Sequence, residues 1–154
     1  RGLATQVARK TPVAGRHANL FVRIHEALSV PAEMVDAGTD LNAALVAKYS
    51  FNLTINALGM IENLPLADWS SHDRQGRVAA VAREAIAIAT ALLGSPSDAN
   101  AAIEVVRAGM QGLPDMKARG RTAPARLTRA LEIATKEGLA VPALRVIADE
   151  AQQP

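Results

Sequence analysis

Apolar residues recur at helical spacing along most of the chain. Leu20, Phe21, Ile24 and Leu28 mark a helix over residues 16–28, which Ser29-Val30-Pro31 ends. A short link follows, with a helical turn at residues 32–35. Residues 40–62 are apolar almost all round, the pattern of a helix meant for burial; Asp40 reads as its N-cap and Asn63-Leu64-Pro65 as its stop. Gly59, late in that helix, lacks a stabilising side chain, which implies that another backbone or a ligand comes close. Residues 64–69 read as a loop. A third helix spans residues 73–93, with Val78, Val81, Ala82, Ala85, Ile86 and Ala89 on its apolar face and Gly94 as its stop. Beyond Ser95-Pro96-Ser97, a helix over residues 98–110 carries Ile103, Val106 and Met110 and is broken by Gly112-Leu113-Pro114. Residues 115–119 form a polar turn or short helix. The helix over residues 123–137 is capped by Thr122, takes Pro124 in its first turn, and closes at Gly138; Pro142 opens the last, to about residue 151. The first fifteen residues read as an extended lead-in, and no alternating strand pattern appears. The expected fold is all-α, one compact multi-helix domain over residues 16–154 around the long helix at residues 40–62.

That long helix carries one anomaly. Lys48, Asn52 and Asn56 fall at four-residue steps within it. Each step turns the helix by about 400°, so the three side chains drift only about 80° around the axis while rising about 12 Å along it. One ammonium and two amides therefore line a strip on an apolar helix. Burying a polar group without a partner costs about 1–3 kcal/mol, so the strip implies a wet groove, a satisfied network or a ligand. Tyr49 and Phe51 flank Lys48 and read as core or interface residues.

Composition narrows the possibilities. Apolar residues make up 49% of the 154 positions but aromatics only 3%, and alanine supplies 32, so the core is built from alanine and branched aliphatics that let helix axes approach closely. Cysteine is absent, which excludes disulfides, thiolate catalysis and cysteine-based metal sites. His17, His25 and His72 are too scattered for a metal motif, and no serine sits in a nucleophile elbow. The formal charge of +2 gives little general attraction to nucleic acid. A local exception runs through Lys117, Arg119, Arg121, Arg126 and Arg129 with no acid among them, read either as a solvated basic face or as an anion-binding segment. It lacks the interleaved aromatics of a nucleic-acid surface. No apolar run is long enough to span a bilayer and the first residues lack a signal-peptide core, so the expectation is a soluble cytoplasmic protein without a membrane partner.

The spacing Lys48-x-x-x-Asn52-x-x-x-Asn56 resembles the core motif of the C-terminal domain of ketopantoate reductases (2-dehydropantoate 2-reductases). Two further segments resemble that family: Arg83-Glu84 followed by an apolar run closing on Gly94, and Glu137-Gly138 leading to Val141-Pro142. The resemblance covers residues 16–151. It implies a helical domain like the C-terminal domain of 6-phosphogluconate dehydrogenases, which forms homodimers and packs against an N-terminal Rossmann domain that binds NADPH. It further implies that Lys48 is the general acid protonating the 2-oxo oxygen of a 2-oxoacid as hydride arrives, and that Asn52 and Asn56 orient the lysine and hold the substrate. Asp115 matches a substrate-contacting aspartate, and Arg121 a basic neighbour.

No Gly-x-Gly-x-x-Gly stands in the sequence, so the dinucleotide-binding half is expected upstream or on another chain. The family's serine and glutamate near Asp115 are replaced here; Thr122, Ala123 or Pro124 stands in the glutamate's place. That replacement keeps open a second expectation, a non-catalytic helical dimerisation module derived from the same family. Asn52 and Asn56 would then cap loops or pair across an interface, and Asp115 would serve its turn.

Overall fold

The computed structural model describes residues 10–35, 38–94 and 98–152, and the side chains at positions 39, 40 and 73 fall outside the description. The proposed cap at Asp40, the Ser95-Pro96-Ser97 break and residues 1–9 of the lead-in lie outside it as well. The described residues are mostly helical, 69% of them. It divides into two compact units, Arg1–Leu45 and Val46–Pro154.

In the first unit the absence of strands expected from the sequence does not hold. Thr11–Val13 forms β1 and Ala32–Met34 forms β2, joined through helix α1, Ala18–Ala27. The strands pair in parallel with Thr11 opposite Ala32 and Val13 opposite Met34. Thus part of the lead-in is a strand, and the helical turn expected at residues 32–35 is extended. Three residues are too few to show a period of two, and the partner strand lies beyond a whole helix.

Helix α2, Thr39–Ile61, follows the expected long helix to within a residue at each end and is the longest element. The unit boundary falls within it. In the second unit every residue from Leu53 to Gly59 is buried, which suits a segment apolar on all sides. The predicted loop at residues 64–69 contains one helical turn, α3, Leu66–Trp69. Trp69 anchors it: the ring is buried, its Nε1–H donates to Glu62 O at 3.3 Å, and Arg74 stacks 4.9 Å from the ring centroid while pairing with Glu62 at 3.0 Å. After a 3-10 turn at His72–Arg74 comes α4, Gln75–Leu93, and Gly94 ends it with φ 61°, a conformation that favours glycine.

Helix α5, Ala99–Gly112, starts at Asp98, whose carboxylate accepts from the N–H groups of Asn100 and Ala101. It continues through Gly112, two residues past the expected end. Gly109 on α5 is small for a reason: a Cβ there would lie 2.7 Å from Phe51 Cε2. Helix α6, Ala123–Lys136, begins after Thr122 as expected, but the Thr122 hydroxyl caps no backbone N–H; it accepts from Arg126 Nε at 2.9 Å.

The last helix, α7, Pro142–Glu150, is capped from a distance. Glu84 on α4 accepts from the N–H groups of Ala143 at 2.7 Å and Leu144 at 2.8 Å, placing a carboxylate at the positive end of α7. Arg77 pairs with Glu150 at 2.6 Å at the other end. Removing the Glu84 carboxylate leaves two helix-end donors unsatisfied, at about 1–3 kcal/mol. We therefore expect Glu84→Ala to lower the urea midpoint and to speed amide exchange at Ala143 and Leu144, with α5 unaffected.

Candidate functional site

All the residues singled out from the sequence as site candidates lie in the second unit. Lys48 is exposed, Asn52 is half-buried and Asn56 is buried, so the strip runs from solvent into the core. Among the described residues Lys48 makes no hydrogen bond or ion pair, and neither does the Asn52 amide. Asn56 is fully engaged in a local network. Its Nδ2 donates to Asn52 O at 2.7 Å, and its Oδ1 accepts from Gly120 N–H at 3.0 Å. Asn63, just beyond the C-terminal end of α2, accepts from Arg119 N–H at 2.9 Å.

These two bonds clamp the segment 118–120 onto α2. The segment is further pinned by a backbone bridge in which Leu66 N–H donates to Met116 O at 3.0 Å and Ala118 N–H to Leu64 O at 2.9 Å. Gly59 makes the approach possible: a Cβ there would collide with Arg119 N and Cα and lie 2.7 Å from the Ala118 carbonyl carbon. The close backbone approach inferred from this glycine is what the fold contains. Gly120 is matched in the same way, since a Cβ on it would sit 2.6 Å from Asn56 Oδ1. The role of Gly120 was not legible beforehand, since its partner Asn56 lies 64 residues away.

The basic segment meets α2 at this place. Lys117, Arg119 and Arg121 are exposed and unpaired among the described residues, while Arg126 is held by Thr122 and Arg129 by Glu132 at 3.0 Å. Tyr49, adjacent to Lys48 in sequence, feels the positive charge of Arg126 and Arg129. Its phenol is nevertheless raised above 10.0, because loss of water on burial outweighs the two guanidinium groups. The folded state therefore holds this proton more tightly than the unfolded chain. Its contribution to stability is complete below pH 10 and is lost as pH rises through the raised value. Because the chain has one tyrosine, tyrosinate absorbance reads this group alone. It should titrate above the free phenol in the folded protein, and Tyr49→Phe should flatten the fall in urea midpoint above pH 10.

Asp115 is exposed in the turn that follows Pro114 and has no side-chain partner among the described residues. A groove of about 770 Å³ in this unit is lined by Met60, Pro124, Leu127, Leu131, Ala148 and Ala151 among others, and by none of the candidate residues. Its surface is mainly apolar, with Thr128, Glu132, Thr135, Lys136 and Gln152 also lining it. No cluster of metal-ligating side chains occurs among the described residues. Comparison with protein-family models, curated proteins and solved structures gives no match for this chain.

Proposed function

We propose that the second unit is the helical substrate-binding part of an NADPH-dependent 2-oxoacid reductase of ketopantoate reductase type, with a 6-phosphogluconate dehydrogenase-like helical fold and Lys48 as the general acid. The observation that carries this reading is the unpaired, exposed Lys48 ammonium at the open end of a strip whose next member, Asn52, offers a free amide. Reduction of a 2-oxo group develops negative charge on its oxygen, and a positioned ammonium supplies both a proton and a positive charge there. Asn52 offers two donors and an acceptor to the substrate without adding charge. Arg119 and Arg121, on the loop clamped to Asn56, are suited to the substrate carboxylate. Asn56 acts through the loop as a positioning residue, and Asp115 borders the same segment as a candidate contact for a substrate hydroxyl.

NADPH supplies the hydride. This chain has no dinucleotide fingerprint, so the cofactor belongs to a Rossmann domain upstream or on another chain. The test is 2-oxoacid-dependent oxidation of NADPH by this chain joined to such a domain from its own gene. Turnover across a panel of 2-oxoacids is expected, and its absence with every member removes the reading.

A second reading, a non-catalytic helical module that forms dimers, is favoured by one observation. Both polar ends of the Asn56 amide are used inside the fold, one by Gly120 and one by Asn52. On that reading the strip is architecture, and Lys48 is a solvated lysine.

A further inference from the structure

The basic segment carries more positive charge than a substrate with one carboxylate would use. Asp115 is the one acid between Gly112 and Leu131, a stretch that holds Lys117, Arg119, Arg121, Arg126 and Arg129. Elsewhere in the second unit Arg74 pairs with Glu62, Arg77 with Glu150 and Arg107 with Glu104. In this segment Arg129 alone finds a carboxylate, that of Glu132. Lys117, Arg119, Arg121 and Arg126 are exposed and meet none among the described residues.

The fold holds these cations near one another. Two residues of chain span at most about 7 Å, so the Cα atoms of Lys117, Arg119 and Arg121 each lie within a Debye length, about 8–10 Å, of the next. Backbone bonds to Leu64 and Leu66 and the amides of Asn56 and Asn63 fix that spacing. A rigid array of like charge repels itself, and a bound anion offsets the repulsion. Arg126 is the member whose side chain is also held. Its Nε donates to Thr122 Oγ1 at 2.9 Å, and its two terminal nitrogens have no partner among the described residues. A guanidinium oriented through Nε with its outer N–H groups open is prepared for a carboxylate. Its field reaches Tyr49, the neighbour of Lys48 on α2, so it serves the same end of the strip.

We infer that the substrate is a 2-oxo dicarboxylate and that Arg126 binds its second carboxylate, an inference that rests on the reading of the strip as a 2-oxoacid site. One carboxylate takes one guanidinium fork. The carboxylate beside the 2-oxo group occupies Arg119 or Arg121, which leaves Arg126 open for another. Guanidinium groups carried on two elements, the clamped loop and the first turn of α6, suit two separate anions better than one compact one. Arg126 is thus a specificity residue: it discriminates among 2-oxoacids by their far end and takes no part in proton transfer.

The test compares 2-oxoglutarate and 2-oxoadipate with 2-oxopentanoate and 2-oxohexanoate, which match them in carbon number but lack the second carboxylate. Binding to the whole chain is measured by calorimetry at low salt, and the Lys48 and Asn52 side chains are followed by NMR. At least one dicarboxylate should bind about tenfold or more tightly than its match, the worth of one hydrogen-bonded charge pair. That ratio should fall as salt is raised. Arg126→Gln should bring it to within about a factor of two with the circular dichroism unchanged, and Arg126→Lys, which keeps the charge but not the fork, should retain part of it. Ratios near one in the unaltered protein, with Lys48 and Asn52 still shifting, overturn the inference and leave the reductase reading standing. No shift at Lys48 and Asn52 with any of the four acids removes both. Equal weakening of both members of a pair by Arg126→Gln also overturns it, since Arg126 would then hold the carboxylate they share. So does glutarate binding as tightly as 2-oxoglutarate, which would place the anion away from the group that reads the 2-oxo oxygen. Inorganic phosphate that displaces 2-oxoglutarate at equal concentration would assign the second position to a phosphoryl group, and that too overturns it.

Discussion

If Lys48 is the proposed general acid, replacing it with alanine should lower kcat for 2-oxoacid-dependent NADPH oxidation by about 10²–10⁴-fold, the range associated with loss of a positioned proton donor. The chain should fold normally, because Lys48 is exposed and, among the described residues, makes no hydrogen bond or ion pair. Lys48→Arg separates the two roles assigned to the ammonium. A guanidinium keeps the positive charge near the developing alkoxide but does not release its proton at neutral pH. Arginine should therefore recover part of the loss in KM while leaving kcat low. If alanine leaves kcat within a factor of two of the unaltered protein, Lys48 is a solvated surface residue and the strip is architectural.

Gly59→Ala should destabilise the fold, although helix propensity alone favours it. Alanine gains about 1 kcal/mol over glycine in a helix interior. Against this, the new methyl group meets backbone, not a side chain that can rotate away: Arg119 N and Cα and the Ala118 carbonyl carbon. Overpacking of this kind costs about 1–3 kcal/mol. Displacing the segment also breaks the bonds from Gly120 to Asn56 and from Arg119 to Asn63, each worth about 0.5–1.5 kcal/mol. The losses exceed the gain, and Gly59→Ala should lower the urea midpoint. Gly76→Ala is the control. Gly76 lies in the first turn of α4 with no atom near its missing Cβ, so the same change there should stabilise by up to about 1 kcal/mol. Equal stabilisation at both positions would mean that the 118–120 segment does not pack on α2.

These two predictions rest on parts of the molecule that differ in how far they were legible. Helices α1, α2 and α4 to α7 follow from apolar spacing and their stop residues, and Gly94 and Gly138 occupy the left-handed conformations expected of them. The close approach at Gly59 was legible because an unsupported glycine in a long buried helix needs a reason. Its partner was not. The bond from Gly120 to Asn56 spans 64 residues, and no local rule links positions so far apart. Strands β1 and β2 were missed for the same reason, since each gains its structure only from the other. Glu84 was legible as part of a resemblance, but its work in the fold, capping α7 across 59 residues, follows only from tertiary structure.

The strip shows both sides of that division. Its spacing was plain from Lys48, Asn52 and Asn56, and helical geometry put them on one face. What spacing could not give is the gradient of burial. Asn56 is drawn into the core by the loop it holds, which leaves Lys48 and Asn52 as the groups open to a ligand. The proposed chemistry is thus narrower than the motif: two residues for the substrate, one for the loop.

The most direct test of the proposed function is to titrate the chain with pyruvate, the simplest 2-oxoacid of this class, while observing the side-chain amides of Asn52 and Asn56 and the terminal methylene of Lys48 by NMR. Saturable shifts at Lys48 and Asn52, a nearly fixed Asn56, and loss of the Asn52 shift in Lys48→Ala are the predicted result. An Asn52 signal that does not respond, or one that responds equally in Lys48→Ala, would contradict it.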